Sequence, residues 1–286
     1  MKLIKHYRED RELRASFNRL AQLTFGLDFE GWYRNGFWGD SYVPYSILED
    51  GEIVANVSVN RINLQLGERI WRTVQLGTVM TAEPYRNRGY IRRIMEEIDR
   101  DTSDMDGVFL FANDSVRQLY PKFGFRTATE YQYEKTVTQE GPCTMEPVLM
   151  DGPANWARLR QAMEENRFQT GCTMVENPGL VFFYASQFMQ DCVYYEKDLD
   201  VWVIAELEAG NLLLHQVFCA APVTLDQILS AFGREVSHVS LGFTPADPAG
   251  FVVSELREDD TTFFVRGELE RLFSQHQLRI PTLAHA

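Results

Sequence analysis

The chain predicts an α/β fold of the mixed α+β kind, in which a mainly antiparallel sheet contains one parallel crossover. Three observations predict it. Between residues 70 and 112 the order is strand, amphipathic helix, buried strand, which makes a βαβ unit. Two hairpin signals precede that unit, at Asp50-Gly51 and at Gly67. The same order of meander, crossover helix and strand then returns in the second half, without any sequence repeat. A length of 286 residues suits two domains better than one. We therefore expect a first domain over 1–137 and a linker over 138–153, where "TQEGPCTMEPVLMDGP" carries three prolines and little periodicity. A second domain is expected over 154–286.

Each element has its own signal. "DRELRASFNRLAQLTFG" places Leu13, Phe17, Leu20 and Thr24 on one helical face, with Gly26 where a C-terminal cap belongs. The aromatic piece that follows holds Phe29, Trp32, Tyr33, Phe37, Trp38, Tyr42 and Tyr45. It reads either as core beneath a loop or as a substrate wall for a cationic or apolar amine. In "IWRTVQLGTVMT" Val74 and Leu76 share one parity and Val79 takes the other, so Gly77 stands at a break in alternation and predicts a β-bulge. After Gly89, the residues Tyr90, Ile91, Ile94, Met95 and Ile98 form the apolar face of a helix. "GVFLFAN" is a short buried strand. The second half supplies a helix in "NWARLRQAMEE", two strands around the turn "EAGN", a helix in "TLDQILSAF", a strand in "VSHVSLGF" and a late strand in "TTFFVRG".

Charge and composition exclude several function classes. The formal net charge is −13, and it is unevenly spread. Residues 1–140 hold 19 basic and 21 acidic side chains, whereas residues 141–286 hold 9 and 20. Such a second half repels a nucleic-acid backbone, so no nucleic-acid partner is expected, while a cationic amine would be steered towards it. No stretch approaches the roughly 20 apolar residues that span a bilayer, and "MKLIKHYREDREL" lacks the apolar core of a secretory signal. A cytoplasmic location without a membrane partner is the expectation. The four cysteines lie far apart with no C-x-x-C pair, so we read them as reduced thiols and expect no metal.

The stretch "EPYRNRGYIRRIMEEI" poses the chemical question. The first N–H groups of a helix lack internal partners, and the helix dipole adds partial positive charge there. Arg86 and Arg88 reinforce it, and Gly89 lets the backbone approach a ligand closely. Both the G-x-G-x-x-G fingerprint and the G-x-x-x-x-G-K-[ST] loop are missing. By itself the turn is equally an anion cradle and a charged helix start.

Two motifs together decide between them. "VMTAEPYRNRGYIRRIM" resembles the Q/R-x-x-G-x-G/A cofactor motif of the GNAT superfamily of acetyl-CoA-dependent N-acyltransferases. "NDSVRQLYPKFGF" resembles the later N-x-x-A-x-x-L-Y-x-K-x-G-F segment of the same superfamily, in the right order. The resemblance covers residues 1–137 and implies a GNAT fold, followed by a degenerate GNAT-like domain that lacks the CoA motif.

The resemblance also implies roles. Arg86, Asn87, Arg88, Gly89, Tyr90 and Ile91 would cradle the CoA diphosphate; Val79, Met80 and Thr81 would pair with the pantetheine arm, and Asn113 would bond its far side. Tyr120 would protonate the departing thiolate. The chain departs from the pattern at two places. Ile91 stands where a second Gly or Ala is preferred, a feature similar to the tandem-domain acetyltransferases of the enhanced-intracellular-survival type, here without their third domain. Gln75 stands where many members carry a carboxylate base, which leaves Glu83 as the nearby acid. The implied reaction is transfer of an acetyl group from acetyl-CoA to a primary amine, small molecule or protein, by direct attack. A non-catalytic acyl-CoA-binding or regulatory protein is the alternative. The acceptor and the oligomeric state are not legible in the sequence. The C-terminal "RIPTLAHA" is either a frayed tail or a plug in the first domain's cleft.

Overall fold

The computed structural model describes residues 1–285. In chain order the first half runs β1 (Lys2–Ile4), α1 (Arg11–Phe25), α2 (Glu30–Arg34), β2 (Tyr42–Glu49), β3 (Glu52–Arg61), β4 (Asn63–Leu66), β5 (Arg69–Trp71) and β6 (Thr73–Thr81). It continues through α3 (Tyr90–Asp101), β7 (Gly107–Ala112), β8 (Arg126–Thr127) and β9 (Tyr131–Thr136). The second half runs β10 (Glu146–Pro147), α4 (Pro153–Glu164), β11 (Thr173–Val175), α5 (Pro178–Gln187), β12 (Val193–Glu196), β13 (Val201–Glu208) and β14 (Asn211–Cys219). α6 (Leu225–Phe232), β15 (His238–Leu241), β16 (Val252–Glu255), β17 (Thr262–Gly267) and α7 (Leu269–Gln275) complete it.

The local signals act as expected. The Asp10 carboxylate caps α1 by accepting from the N–H groups of Glu12 and Leu13, and Gly26 closes the helix in the left-handed conformation. Asp50 and Gly51, both at positive φ, turn β2 into β3. Thr224 and Gln227 form a reciprocal capping box at the start of α6. Tyr90, Ile94, Met95 and Ile98 are the buried face of α3, which covers β2 and β3.

Two seven-stranded sheets have matching topology. One has the order β1-β2-β3-β6-β7-β17-β8, the other β10-β12-β13-β14-β15-β9-β16. Each contains one parallel pair, β6 with β7 and β14 with β15; the other pairings are antiparallel. The parallel pairing is short: Thr73–Gln75 faces Gly107–Phe109, and Asn211–Leu214 faces His238–Leu241. Beyond those residues the two strands of each pair diverge and leave a wedge-shaped gap.

The late strand "TTFFVRG" was expected in the second half's sheet. It lies instead as β17 in the first sheet, with Thr262 to Gly267 antiparallel to Ala112 to Gly107. In exchange β9 leaves the first half and sits between β15 and β16. Each sheet therefore has its sixth position, next to the outermost strand, filled by the other half of the chain. The physical reason is that a strand is placed by the edge it pairs with and the faces it buries, both of them non-local. Phe263, Phe264 and Val265 are buried against the first sheet's cores. A third, small sheet, β11-β4-β5, ties the halves together again.

Three apolar cores follow from this arrangement. One lies between the first sheet and α3, one lies beneath α6 in the second sheet, and a central core joins α1, α2, α5, α7 and the C-terminal residues. Residues 279–285 occupy the gap of the second sheet. The N–H of Thr282 donates to Gly242 O at 2.8 Å, and an Arg279 guanidinium nitrogen donates to Leu241 O at 2.7 Å. His285 continues across and stacks on Phe111 of β7, ring centroids 3.8 Å apart. Burial holds His285 neutral, with its pKa lowered to about 3.

Candidate active site

The gap between β6 and β7 opens into a cavity of about 790 Å³. Its polar end begins at a β-bulge. Ser58 pairs with Gly77 and Asn56 with Met80, so Thr78 and Val79 together oppose Val57. The bulge sits where the break in alternation placed it, but the residue at positive φ is Thr78, at +48°, rather than Gly77. Buried side chains hold it there. The Asn56 carboxamide donates to Thr78 O at 2.9 Å and accepts from Ser46 Oγ at 2.8 Å. Tyr42 Oη and Thr78 Oγ1 are 2.7 Å apart. Nothing in the alternation pattern marked Asn56, because a polar residue in a strand normally reads as solvent-facing.

Val79, Met80 and Thr81 line the cavity past the bulge, and so do Arg86, Asn87, Ile91, Asn113 and Tyr120. Arg88, Gly89 and Tyr90 lie around an adjoining recess of about 370 Å³, whose other lining residues include Arg92 and Lys122. The two spaces share Thr81, Asn87, Ile91 and Leu119, so they form one groove. Asn87 and Gly89 take positive φ, +62° and +79°, which turns successive backbone N–H groups towards the groove ahead of α3. Gly89 does this without the cost a Cβ would add. Four cationic side chains and a helix N-terminus meet at that end, which gives it a positive potential.

The other candidates fall less simply. Ile91 faces the groove and also packs on the core beneath α3. Gln75 is buried within the paired part of β6, between Asn60 and Phe109, and stands outside the cavity lining. Glu83 is exposed at the head of a 3₁₀ turn and also lies outside it. The Asn113 carboxamide donates to an Asp260 carboxylate oxygen at 2.8 Å, and the other oxygen accepts from the N–H of Asp114 at 2.7 Å. Asp260 is thus the cap of the turn after β7, a role that no local reading could assign across 147 residues of chain. Tyr120 is buried, its hydroxyl has no hydrogen-bond partner among the described residues, and burial pushes its pKa up to about 12. A hydroxyl with that pKa stays protonated throughout the physiological range.

At its apolar end the cavity is walled by Phe25, Leu27, Phe29, Trp32, Leu180 and Phe183. Phe29 lies 5.3 Å from Phe183 and 5.6 Å from Tyr42, stacked on both. Trp32 Nε1 donates to Gly179 O at 2.8 Å, which locks α2 to α5. The aromatic segment therefore divides. Phe29, Trp32 and Tyr42 face the cavity, whereas Trp38 and Phe37 are core, and Tyr33 lies over the Arg14 guanidinium at 3.6 Å. Leu180 and Phe183 come from the second half, and sequence reasoning missed both, since their apolar run reads as ordinary core.

Comparison with known families decides the class of the first half: residues 16–128 match the model of the acetyltransferase (GNAT) domain. Residues 16–128 are a GNAT acetyltransferase domain. The chain is accordingly an acyltransferase. The GNAT-type architecture extends over nearly the whole chain. A probable N-acyltransferase of unknown function from Enterococcus faecalis V583 superposes with TM-score 0.59 at 14% identity, covering 93% of this chain and 72% of that one. Eis1 from Mycobacterium abscessus gives 0.55 at 13% identity, covering 92% and 73%. A GCN5-related N-acetyltransferase from Kribbella flavida gives 0.52 at 17% identity, covering 93% and 72%. At these identities the likeness is one of fold. No curated protein sequence matches the chain. Among the described residues no helix is long and apolar enough to cross a membrane.

Proposed function

We propose that the chain transfers an acetyl group from acetyl-CoA to the primary amine of an acceptor with an apolar or aromatic body. The observation that carries this is the junction, in one cavity, of an anion-binding turn, a diverging strand pair and an unpartnered tyrosine hydroxyl. The turn at Arg86–Ile91 would receive the diphosphate, with Arg88, Arg92 and Lys122 adding charge along the recess. The free edge of β6 past Thr78 would pair with the pantetheine arm as an added strand. The side chain of Asn113 is engaged by Asp260, so at that position the main chain is left to meet the arm.

In this reading a neutral amine attacks the thioester carbon while the backbone N–H groups beyond the bulge face the oxygen on which charge develops. Tyr120 donates its proton to the leaving sulfur. Glu83, exposed and outside the cavity, could take the amine's proton only through water. Positioning by the rigid wall of Phe29, Trp32 and Phe183 supplies the remainder. No carboxylate lies among the described residues lining the cavity. Recognition of the acceptor therefore rests on apolar contact and ring faces rather than on ion pairing.

The test is acetyl-CoA turnover against a panel of aliphatic, aromatic and polycationic amines, with CoA affinity measured separately. Tyr120→Phe is expected to lower kcat by roughly 100-fold, the scale of a lost general acid, with CoA affinity nearly unchanged. An unchanged kcat would remove Tyr120 from the reaction. CoA binding with no turnover on any amine would overturn the transferase reading of this cavity.

A further inference from the structure

A second cavity, of about 500 Å³, lies beneath the C-terminal end of α4. It opens between the β4–β5 hairpin, β11 and the far end of β14, and none of the residues discussed above as catalytic or coenzyme-binding lines it. Its position repeats that of the apolar end of the first cavity. α1 packs on β3 and β6, and the space at its end lies over the diverging part of β6; α4 packs on β13 and β14, and the second cavity lies over the diverging part of β14. α5 separates the two. Leu180 and Phe183 face the first cavity, while Pro178 and Val181 face the second.

Gln216 lines this space. It is only 8% exposed, and its carboxamide makes no hydrogen bond with any described residue. Asn177, equally buried and also lining the space, is satisfied by Asn60 and by Arg61 O, both at 2.9 Å. With no protein partner, that carboxamide opens onto the cavity and is free to bond a group held there. Glu164 and Glu176 stand exposed at the rim, and there is no Lys, Arg or His among the described lining residues. Met163, Met174 and Phe218 add apolar surface.

We propose that this cavity is a second binding site, for a small amine cation with a short apolar stretch. The two glutamates attract and pair with the ammonium groups, Met174 and Phe218 cover the methylenes, and the Gln216 carbonyl accepts from an N–H. The site binds without transferring, because the neighbouring gap between β14 and β15 is filled by residues 279–285 and admits no coenzyme arm. This inference stands independently of the acceptor assigned to the first cavity.

The probe is spermidine, titrated calorimetrically into the full chain, with succinate as an anion of similar reach. Spermidine is expected to bind and succinate to give no heat. Gln216→Leu and the surface change Glu164→Arg are each expected to weaken spermidine at least about tenfold, while CoA affinity stays at the parent value. Gln216→Leu is also expected to leave the melting temperature of the unliganded chain near the parent value, since the amide has no protein partner to lose. No spermidine heat, or binding that both substitutions leave unchanged, would overturn the site. A lowered melting temperature for Gln216→Leu would show that the amide serves the fold instead.

Discussion

Asn56 carries the geometry of the site without touching the reaction. Its carboxamide bonds Thr78 O at the residue that takes positive φ and so supports the bulge in the β3–β6 pairing. Asn56→Ala is expected to remove the bond to Thr78 O and those to the buried Ser46 and Ser58 hydroxyls, at a cost of about 1–3 kcal/mol. Thermal melting should show the loss, and CoA affinity should fall as the strand edge straightens. Glu130 makes a different statement at the same scale. It is fully buried, its carboxyl accepts from the N–H of Ile280 at 2.7 Å, and burial raises its pKa from 4.5 to about 8. A raised acid binds its proton more tightly in the folded state than in the unfolded one. Its contribution is therefore greatest below pH 4.5 and declines as pH rises to about 8. Glu130→Gln keeps the acceptor and removes the titration, so it is expected to flatten the pH dependence of melting across that window. An unaltered profile would show that Glu130 titrates near its unfolded value.

α5 walls the apolar end of the first cavity with Leu180 and Phe183. Its first turn lies so close to the segment after α2 that a Cβ at Gly179 would stand 2.5 Å from Phe37 O. The carbonyl of the same residue holds Trp32. Gly179→Ala is expected to cost about 1–3 kcal/mol, the range for overpacking against rigid backbone, and to loosen the wall of the cavity. The readout is a lowered melting temperature together with a raised KM for the acceptor and an unchanged CoA affinity; a KM equal to the parent's would detach α5 from recognition. Elements of this kind show where local reading succeeds and where it stops. Helix α3, its cap at Gly89 and the bulge were legible because each is set by periodicity or by a backbone requirement within about ten residues. The apolar run of α5 gave no hint that Leu180 and Phe183 form a cavity wall, since a core face and a pocket face have the same composition.

The exchange of β9 and β17 sets the behaviour of the whole molecule. Cutting the chain at the expected boundary of 137 removes β17 and exposes the edge of β7 with Phe109 and Phe263's partner Phe111. It also removes α5, α7 and the C-terminal residues that share the central core. A fragment of residues 1–137 is expected to aggregate or stay unfolded, tested by soluble yield and near-ultraviolet dichroism. A folded, CoA-binding fragment would show the exchange to be dispensable. By itself the sequence determined the mixed α/β class, the two-fold recurrence of element order, the turn at Arg86–Ile91 ahead of helix α3 and the bulge near Gly77, because all of these follow from local periodicity and short motifs. Tertiary structure alone decided which strand enters which sheet, that Asp260 rather than solvent takes the Asn113 side chain, that residues 279–285 fill the second gap, and that the wall of the first cavity is shared between the halves. Those outcomes rest on pairings across more than a hundred residues, where the gain comes from burying complementary faces and no local preference favours one partner over another.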